Sequence, residues 1–401
     1  YIELECVVNK LRTMECDEND EENLVNVHRS EIMQLRRRLS KTLEDFPSYD
    51  TDFCLLRWLR NDLYNIDSAA RKFESALHTL ASVGAFNNNV HTLEDAQSFL
   101  QELTPAARYF PGGIMGTDRN GNIVCVQPMG RVRPRSLMPT GRVSEFYRAL
   151  ILECETSMIL LRNEEKKRNR KMGIIIISDI AEFSVDIVWM PAVRIYLNSL
   201  SLLQSLFPDT IVKIYVINAP TIINVLYRMV KRVLGKKTVE LVEFLGNDWK
   251  DVLRREIGEE NLLPHWGGTM QSDLPTGSIR MGGEVPDNVR KELISSLKYV
   301  PTEQLLRSSV SARGAVTIPL EVAAPGSVLS WYFTVDHGDI DFWITYNSVE
   351  VWPRFRVSTE FVAEYGEIFC AEKGTYIVHF DNSHGKVWGK YIAYLLTIDA
   401  L

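Results

Sequence analysis

The apolar positions of this chain change period along its length. Over residues 31–63 they recur at helical spacing, with Pro47 as a breaker and with Leu55, Leu56, Leu59 and Leu63 on one stripe. Residues 68–83, which Asp67 can cap, and residues 93–103 predict two further helices on either side of the loop Asn87-Asn88-Asn89. From Pro105 onward, short β-branched runs alternate with amphipathic stretches. Residues 122–127, 172–178 and 211–217 predict strands; residues 142–162, 191–206 and the stretch after Asn218-Ala219-Pro220 predict helices. Four consecutive isoleucines, Ile174 to Ile177, predict a strand buried on both faces. Strand, crossover helix and strand together predict a mostly parallel α/β sheet.

Residues 269–288 hold Pro275, Gly277, Gly282, Gly283 and Pro286, which predicts a linker or an irregular wrap. Beyond them the period becomes two. Residues 316–321, 328–335, 340–346, 355–361, 367–370, 376–380 and 390–398 read as strands between turn clusters, and imply an antiparallel all-β sandwich. Its aromatic residues Trp331, Phe333, Trp343 and Trp352 are expected mostly in the core, with Tyr332 on the opposite face from Trp331 and Phe333.

One helix carries a second message. In the stretch after Pro220, Ile222, Val225, Leu226, Met229, Val230, Val233 and Leu234 share a face, while Arg228, Lys231 and Arg232 project elsewhere and Lys236 and Lys237 follow. No acidic residue occurs from residue 210 to residue 239. A basic amphipathic helix hung from a buried strand reads as a surface that meets a membrane. Five cations near an anionic lipid surface would contribute about 5 kcal/mol in all. The plain alternative is a helix packed on its own core. Leu197, Leu200, Leu202, Leu203, Leu206 and Phe207 crowd the end of the preceding helix. Together with the basic helix they predict a lipid cavity beneath a mobile element.

Composition narrows the functional classes. A chain of 401 residues holds two or three domains, and no run approaches the ~20 apolar residues that span a bilayer. The net charge of −7 is local, because Glu15 to Glu22 hold six carboxylates and no cation. That balance argues against a nucleic-acid partner, and the acidic window predicts a disordered tail over residues 1–28. No signal peptide is visible, although the chain begins at Tyr1. Six scattered cysteines without a CxxC predict reduced thiols in the cytoplasm. The signatures GxSxG, HExxH, GxxxxGK[ST] and GxGxxG are absent, so no catalytic residue and no metal site is predicted. His379 and His384 read as structural, Asp179 as a cap or loop residue, and Glu164-Glu165 beside Lys166-Lys167 as solvated charge.

At finer grain, Leu55-Leu-Arg-Trp-Leu-Arg60, Tyr215-Val-Ile-Asn-Ala-Pro220, Phe244-Leu-Gly-Asn-Asp-Trp249 and Asn261-Leu-Leu-Pro-His-Trp-Gly-Gly-Thr269 resemble motifs of the CRAL-TRIO lipid-transfer family. Tyr109-Phe-Pro-Gly-Gly-Ile-Met-Gly116, Trp189-Met-Pro-Ala192 and the β tail resemble its animal subgroup with a C-terminal GOLD domain. The resemblance covers roughly residues 44–401. It implies a helical N-terminal module over residues 29–104, an α/β lipid-binding domain over 105–270, a linker over 271–289 and a GOLD sandwich over 290–401. It also implies a carrier that is not an enzyme, that uses no cofactor and that holds one hydrophobic lipid under a gate helix at residues 221–234. Family ligands include phosphatidylinositol, phosphatidylcholine, tocopherols, retinoids and squalene-like isoprenoids.

The expected cavity residues are Leu197, Leu200, Leu203, Leu206, Tyr215, Ile217, Ile222, Ile223, Leu226, Met229, Val230 and Leu234. The expected membrane-docking residues are Arg228, Lys231, Arg232, Lys236 and Lys237. The resemblance assigns Asp209 and Thr238 to a headgroup site. It also places Asp62, Leu63 and Leu241 where phosphoinositide-binding members carry cations. A phosphate needs cationic or N–H donors, so an isoprenoid or tocopherol-like cargo is expected over phosphatidylinositol. Peripheral contact with Golgi or ER membranes and protein partners on the GOLD domain are also implied. The rival reading is a GOLD-dependent vesicle-traffic or signalling adaptor regulated by lipid.

Overall fold

Helix signals at the start of the chain become α1 (Glu21–Val27), α2 (Arg29–Arg38), α3 (Ser40–Asp45), α4 (Asp52–Asn61), α5 (Ile66–Ser82) and α6 (Leu93–Glu102). The structure, a computed structural model, describes residues 21–103 and 105–399. Of the expected disordered tail, residues 1–20 therefore lie outside the described residues, whereas α1 falls inside its span and corrects its end. Pro47 does break the helix, and a short 3-10 turn follows it. Thr51 caps α4 by accepting the Cys54 N–H at 3.1 Å. Asp67 does not cap α5: Asn65 does, accepting the Ser68 N–H at 2.9 Å, and the helix starts at Ile66. Leu63 leaves the apolar stripe because the chain turns there with a φ of 50°, and its side chain is exposed.

The α/β unit follows as β1 (Gly113–Thr117), β2 (Ile123–Gln127), α7 (Val143–Arg168), β3 (Ile174–Asp179), α8 (Met190–Leu206), β4 (Ile211–Ile217), α9 (Ile223–Val233), α10 (Lys236–Glu240) and β5 (Val242–Phe244). Its sheet runs β1-β2-β3-β4-β5, parallel throughout except for β1 against β2. Strand β1 escapes the sequence pattern because it holds two glycines and a register shift between Ile114 and Gly116, which break the alternation. Helix α7 runs past residue 162 because its last turns are two-faced. Glu164 bonds Lys167 and Arg168 at the surface, while Glu165 is buried against Arg57. Reading both glutamates as solvated was wrong for Glu165.

Residues 271–289 are a wrap rather than a free linker. Gly112 and Arg280 exchange two backbone hydrogen bonds of 3.0 Å, and Ile279 and Val285 are buried. After the short helices α11 (Trp249–Leu253) and α12 (Asp287–Ser295) come β6 (Leu306–Val310), β7 (Ala315–Val322), β8 (Val328–Val335), β9 (Asp339–Tyr346), β10 (Val349–Ser358), β11 (Glu364–Phe369), β12 (Gly374–Asp381) and β13 (Lys390–Asp399). They form two antiparallel sheets, β10-β9-β12-β7 and β11-β8-β13-β6. Trp331, Phe333, Phe342, Phe355 and Phe380 fill the space between. Tyr332 points the other way and stacks on Tyr365. The sequence pattern omits β6, an edge strand in which Val310 alone is buried. His379 bonds Thr345 at 2.8 Å and stacks on Trp343, while His384 approaches Asp341. The two histidines are thus held by different partners.

The sandwich is seated on α7. Tyr147 donates to the Arg356 carbonyl at 3.0 Å, Arg142 donates to the Tyr365 carbonyl and covers its ring, and Ser144 donates to Glu364 at 2.5 Å. Burial pushes Glu364 from 4.5 up to about 7, against the pull of Ser144 and Arg142; Glu145 pushes the same way as burial. Between those two values the unfolded chain is ionised while the folded one keeps its proton. Stability from this contact is therefore full below about 4.5 and falls by about 3 kcal/mol as pH rises through about 7. Glu364→Gln should melt with wild type in acid and above it in mild alkali. A melting difference that does not change with pH would refute this assignment.

Candidate functional site

The sheet of the α/β unit has two unlike faces. On one face Val124, Ile175, Ile177, Tyr215 and Ile217 pack against Leu253, Ile257, Leu262 and Trp266 in a filled core. On the other, Cys125, Gln127, Ile174, Ile176, Ser178, Ile214 and Val216 line a cavity of about 540 Å³. Side chains alternate across a strand, so neighbours in sequence belong to different faces. The isoleucine run of β3 accordingly supplies both the packed core and the cavity floor. Tyr215 and Ile217 were expected in the cavity and are not there.

Three helices complete the walls. From α7 come Phe146, Leu150, Glu153, Cys154, Ser157 and Met158; from α8, Val193, Ile195, Tyr196, Ser199, Leu200 and Leu203, with Phe207 just beyond its end. Helix α9 closes the cavity with Ile223, Leu226, Tyr227 and Val230, and Leu234 follows it. Of the residues expected there, Leu200, Leu203, Ile223, Leu226, Val230 and Leu234 line the cavity. Leu197 and Leu206 on α8 do not, Leu206 joining the core shared with the N-terminal module, and neither do Ile222 and Met229 at α9. The phase of α9 explains the last two. Ile223, Leu226, Tyr227, Val230 and Leu234 turn inward, which leaves Ile222 and Val225 exposed on the outer side. Arg228, Lys231 and Arg232 are exposed too. The helix thus presents apolar and cationic groups to the outside while its inner residues line the cavity.

The whole α7 wall was missed, along with Val193, Ile195 and Tyr196. Its signal exists as a stripe at spacings of three and four, but the stripe mixes Glu153, Cys154 and Ser157 with apolar residues and does not stand out from a long helix.

One end of the cavity is charged. Asp209 and Thr238, which the resemblance assigns to a headgroup site, both lie there with Arg60, Lys236 and Lys237. Asp209 forms ion pairs with Arg60 at 3.3 Å and Lys171 at 3.7 Å. Leu63 and Leu241 line the same end, while Asp62 turns to Lys72 at 2.6 Å. Lys236 and Lys237 of α10 are the cations that line the cavity beside Leu241. Those two lysines were expected at the membrane surface; they are exposed and also rim the cavity. Deeper in, Glu153 bonds Arg280 at 2.7 Å, and Arg280 also donates to the Phe110 carbonyl.

The cavity offers little reactive chemistry. Burial pushes Cys125 up to about 12 and Cys154 well above the usual thiol value, and Tyr196 up to about 12, so none of the three ionises near neutrality. Asp179 is structural: it accepts Ala181 N–H, the Asn218 amide and the Trp266 indole at 2.9, 2.8 and 3.2 Å. Among the described residues no helix is long and apolar enough to cross a membrane, and no group of three or more His, Cys, Asp or Glu is placed to hold a metal ion.

Residues 107–268 match the family model described as CRAL/TRIO domain. The chain is 24% identical to Protein real-time of Aedes aegypti over 78% of its own length and 48% of that protein's. It is 24% identical to a CRAL-TRIO domain-containing protein of Caenorhabditis elegans, over 80% of this chain and 76% of that one. Protein real-time of Drosophila melanogaster is 22% identical over 90% of this chain and 60% of its own. The chain therefore spans only about half the length of the Aedes relative. Among solved structures, that of Sfh5 aligns with a TM-score of 0.42 and 16% identity, over 59% of this chain and 76% of that one.

Proposed function

We propose that this chain, whose residues 107–268 form a CRAL/TRIO domain, binds one lipophilic molecule under α9 and carries it between membranes. The observation that carries the reading is the cavity itself. Its volume of about 540 Å³ lies inside the range of about 300–1,000 Å³ usual for a single ligand, and its deep walls are mostly aliphatic. Each methylene moved from water into such a space gains about 0.8 kcal/mol. A cargo with a long apolar body is then held too tightly to leave through water, and release needs a membrane at the mouth.

The cargo class follows from the two ends. The deep part suits an isoprenoid, tocopherol-like or acyl chain. The mouth, with Thr238, Lys236 and Lys237 beside the Arg60–Asp209 pair, accommodates a polar or anionic head and so keeps a phospholipid in play. The C-terminal sandwich and the order of motifs support a likeness to the animal carriers with a GOLD domain, among them supernatant protein factor, also called tocopherol-associated protein. The protein would work from the cytoplasm, touching Golgi or ER membranes peripherally. Native mass spectrometry of the purified chain should show one bound lipid. A chain that is empty, and that moves no labelled tocopherol, squalene or phospholipid between vesicles, would sink the proposal.

The outer side of α9 gives a second test. With Ile222 and Val225 already exposed, docking needs no prior opening; the cations hold the helix at an anionic surface and the two apolar residues enter it. Reversing Arg228, Lys231 and Arg232 to glutamate should weaken vesicle binding by about a hundredfold at low salt, and by less at high salt. Equal transfer by variant and wild type at low salt would count against this helix as the docking element.

A second reading, a lipid-regulated adaptor, is favoured by one observation. The sandwich sits on Arg142 and on Ser144 and Tyr147 of α7, and the same helix lines the cavity with Phe146 and Leu150. Deleting residues 290–401 separates the two: transfer that survives supports the carrier, and localisation lost with the sandwich supports the adaptor.

A further inference from the structure

At one corner of the sandwich, apolar side chains are held out into water. Val387, Trp388 and Tyr391 are 72%, 74% and 68% exposed, on and just after the loop that joins β12 to β13. Lys386 and Arg313 are exposed beside them. The loop is tied down. Asn382, itself buried, donates from its side chain to the Ser311 carbonyl at 3.1 Å and to the Trp388 carbonyl at 3.0 Å. Its backbone N–H bonds the Gly314 carbonyl at 2.8 Å, and the Arg313 N–H reaches the Asn382 and Gly385 carbonyls at 3.2 and 3.0 Å. Gly385 must be glycine: a Cβ there would lie 2.2 Å from the Asn382 side-chain oxygen. The β6–β7 turn and the β12–β13 loop are thus stitched into one platform.

Charge says what the platform meets. No acidic residue occurs from Gln304 to Leu320 or from Asn382 to Ile398. The carboxylates at the rim are engaged. Lys390 donates to the Asp339 carbonyl and pairs with its carboxylate, Arg354 holds Asp381, and Asp336 accepts the His337 and Tyr391 N–H groups. An exposed tryptophan and valine flanked by free-standing cations match the headgroup zone of an anionic bilayer, where the indole is at home between apolar and wet layers and each cation adds attraction. A protein partner would need no such freedom from acid on both segments.

We infer that the Val387-Trp388 corner is a second membrane-docking site, separate from α9, that takes the surface of an anionic bilayer. The inference does not depend on the cargo. Binding of the full chain to phosphatidylcholine vesicles, with and without phosphatidylserine, tests it. Lys386→Glu with Arg313→Glu should weaken binding to the anionic vesicles about tenfold or more at low salt, with little change on neutral ones. Quenching of tryptophan fluorescence by brominated acyl chains should fall in Trp388→Phe. These surface changes leave the bound lipid seen by mass spectrometry unaltered, so their failure is separable from failure of the carrier reading. Unchanged anionic-vesicle binding together with unchanged quenching overturns the inference, and a protein then covers this corner.

Discussion

Filling the cavity should abolish cargo binding while sparing the fold. Ser178 on β3 and Ile214 on β4 both face the empty side of the sheet, and their strands pair in parallel with Ser178 opposite Val216. Ser178→Trp/Ile214→Trp places two indoles in space the native side chains leave open. In a packed core such enlargement costs about 1–3 kcal/mol per site through strain; over a cavity of about 540 Å³ that strain is largely relieved. The variant should therefore melt within a few degrees of wild type, retain no lipid in native mass spectrometry, and transfer labelled lipid at about a hundredth of the wild-type rate or less. The contrast lies on the other face. Ile177 is fully buried against the Trp266 core, so Ile177→Trp should lower the melting temperature and solubility instead. If the double variant still carries lipid, or if both variants unfold alike, the cavity is not the binding site.

That contrast also marks what the sequence could and could not say. Strand β4 was legible to the residue, because six β-branched or aromatic positions, interrupted only by Lys213, between Pro208-Asp209-Thr210 and Asn218-Ala219-Pro220 admit little else. Which of its residues face the cavity was not legible. Tyr215 and Ile217 are as apolar as Ile214 and Val216, and when both faces of a sheet are apolar the period of two gives no phase. Helix α9 failed in the same manner. Its apolar residues cover more than half its circumference, so Ile222 and Met229 fit the stripe as well as Ile223 and Tyr227, and only the position of the sheet selects among them. Asp209 and Thr238, assigned to a headgroup site by resemblance, line the cavity. That Lys236 and Lys237 line it too was not legible, since they reach the mouth only after the Leu234-Gly235 turn brings α10 back over it. Longest-range of all is the α7 wall: nothing local distinguishes Glu153 or Cys154, which line a cavity, from Glu155, which is buried against Tyr49 and Arg162.

Removing Arg57 should cost more stability than any other single change considered. Arg57 and Glu165 are each about 2% exposed; the arginine donates to both carboxylate oxygens and, at 2.7 Å, to the Met172 carbonyl. Glu165 in turn accepts the Met172 N–H at 2.8 Å. The group joins α4 of the N-terminal module to the end of α7 and the start of β3, whose residues floor the cavity. Truncating Arg57 leaves a buried carboxylate unpaired and a carbonyl without its donor, a loss of about 3–5 kcal/mol. Arg57→Ala should therefore melt many degrees below wild type, and it should release bound lipid first, because the helical module no longer backs the charged mouth at Arg60. Arg57→Met with Glu165→Met offers the decisive comparison. Replacing both charges by apolar groups of similar length removes the desolvation cost along with the attraction, so the double variant should recover most of the lost melting temperature. If the double variant is as unstable as Arg57→Ala, the lost stability comes from packing around the guanidinium and not from the stranded carboxylate, and the pair is not the clasp that holds the two modules together.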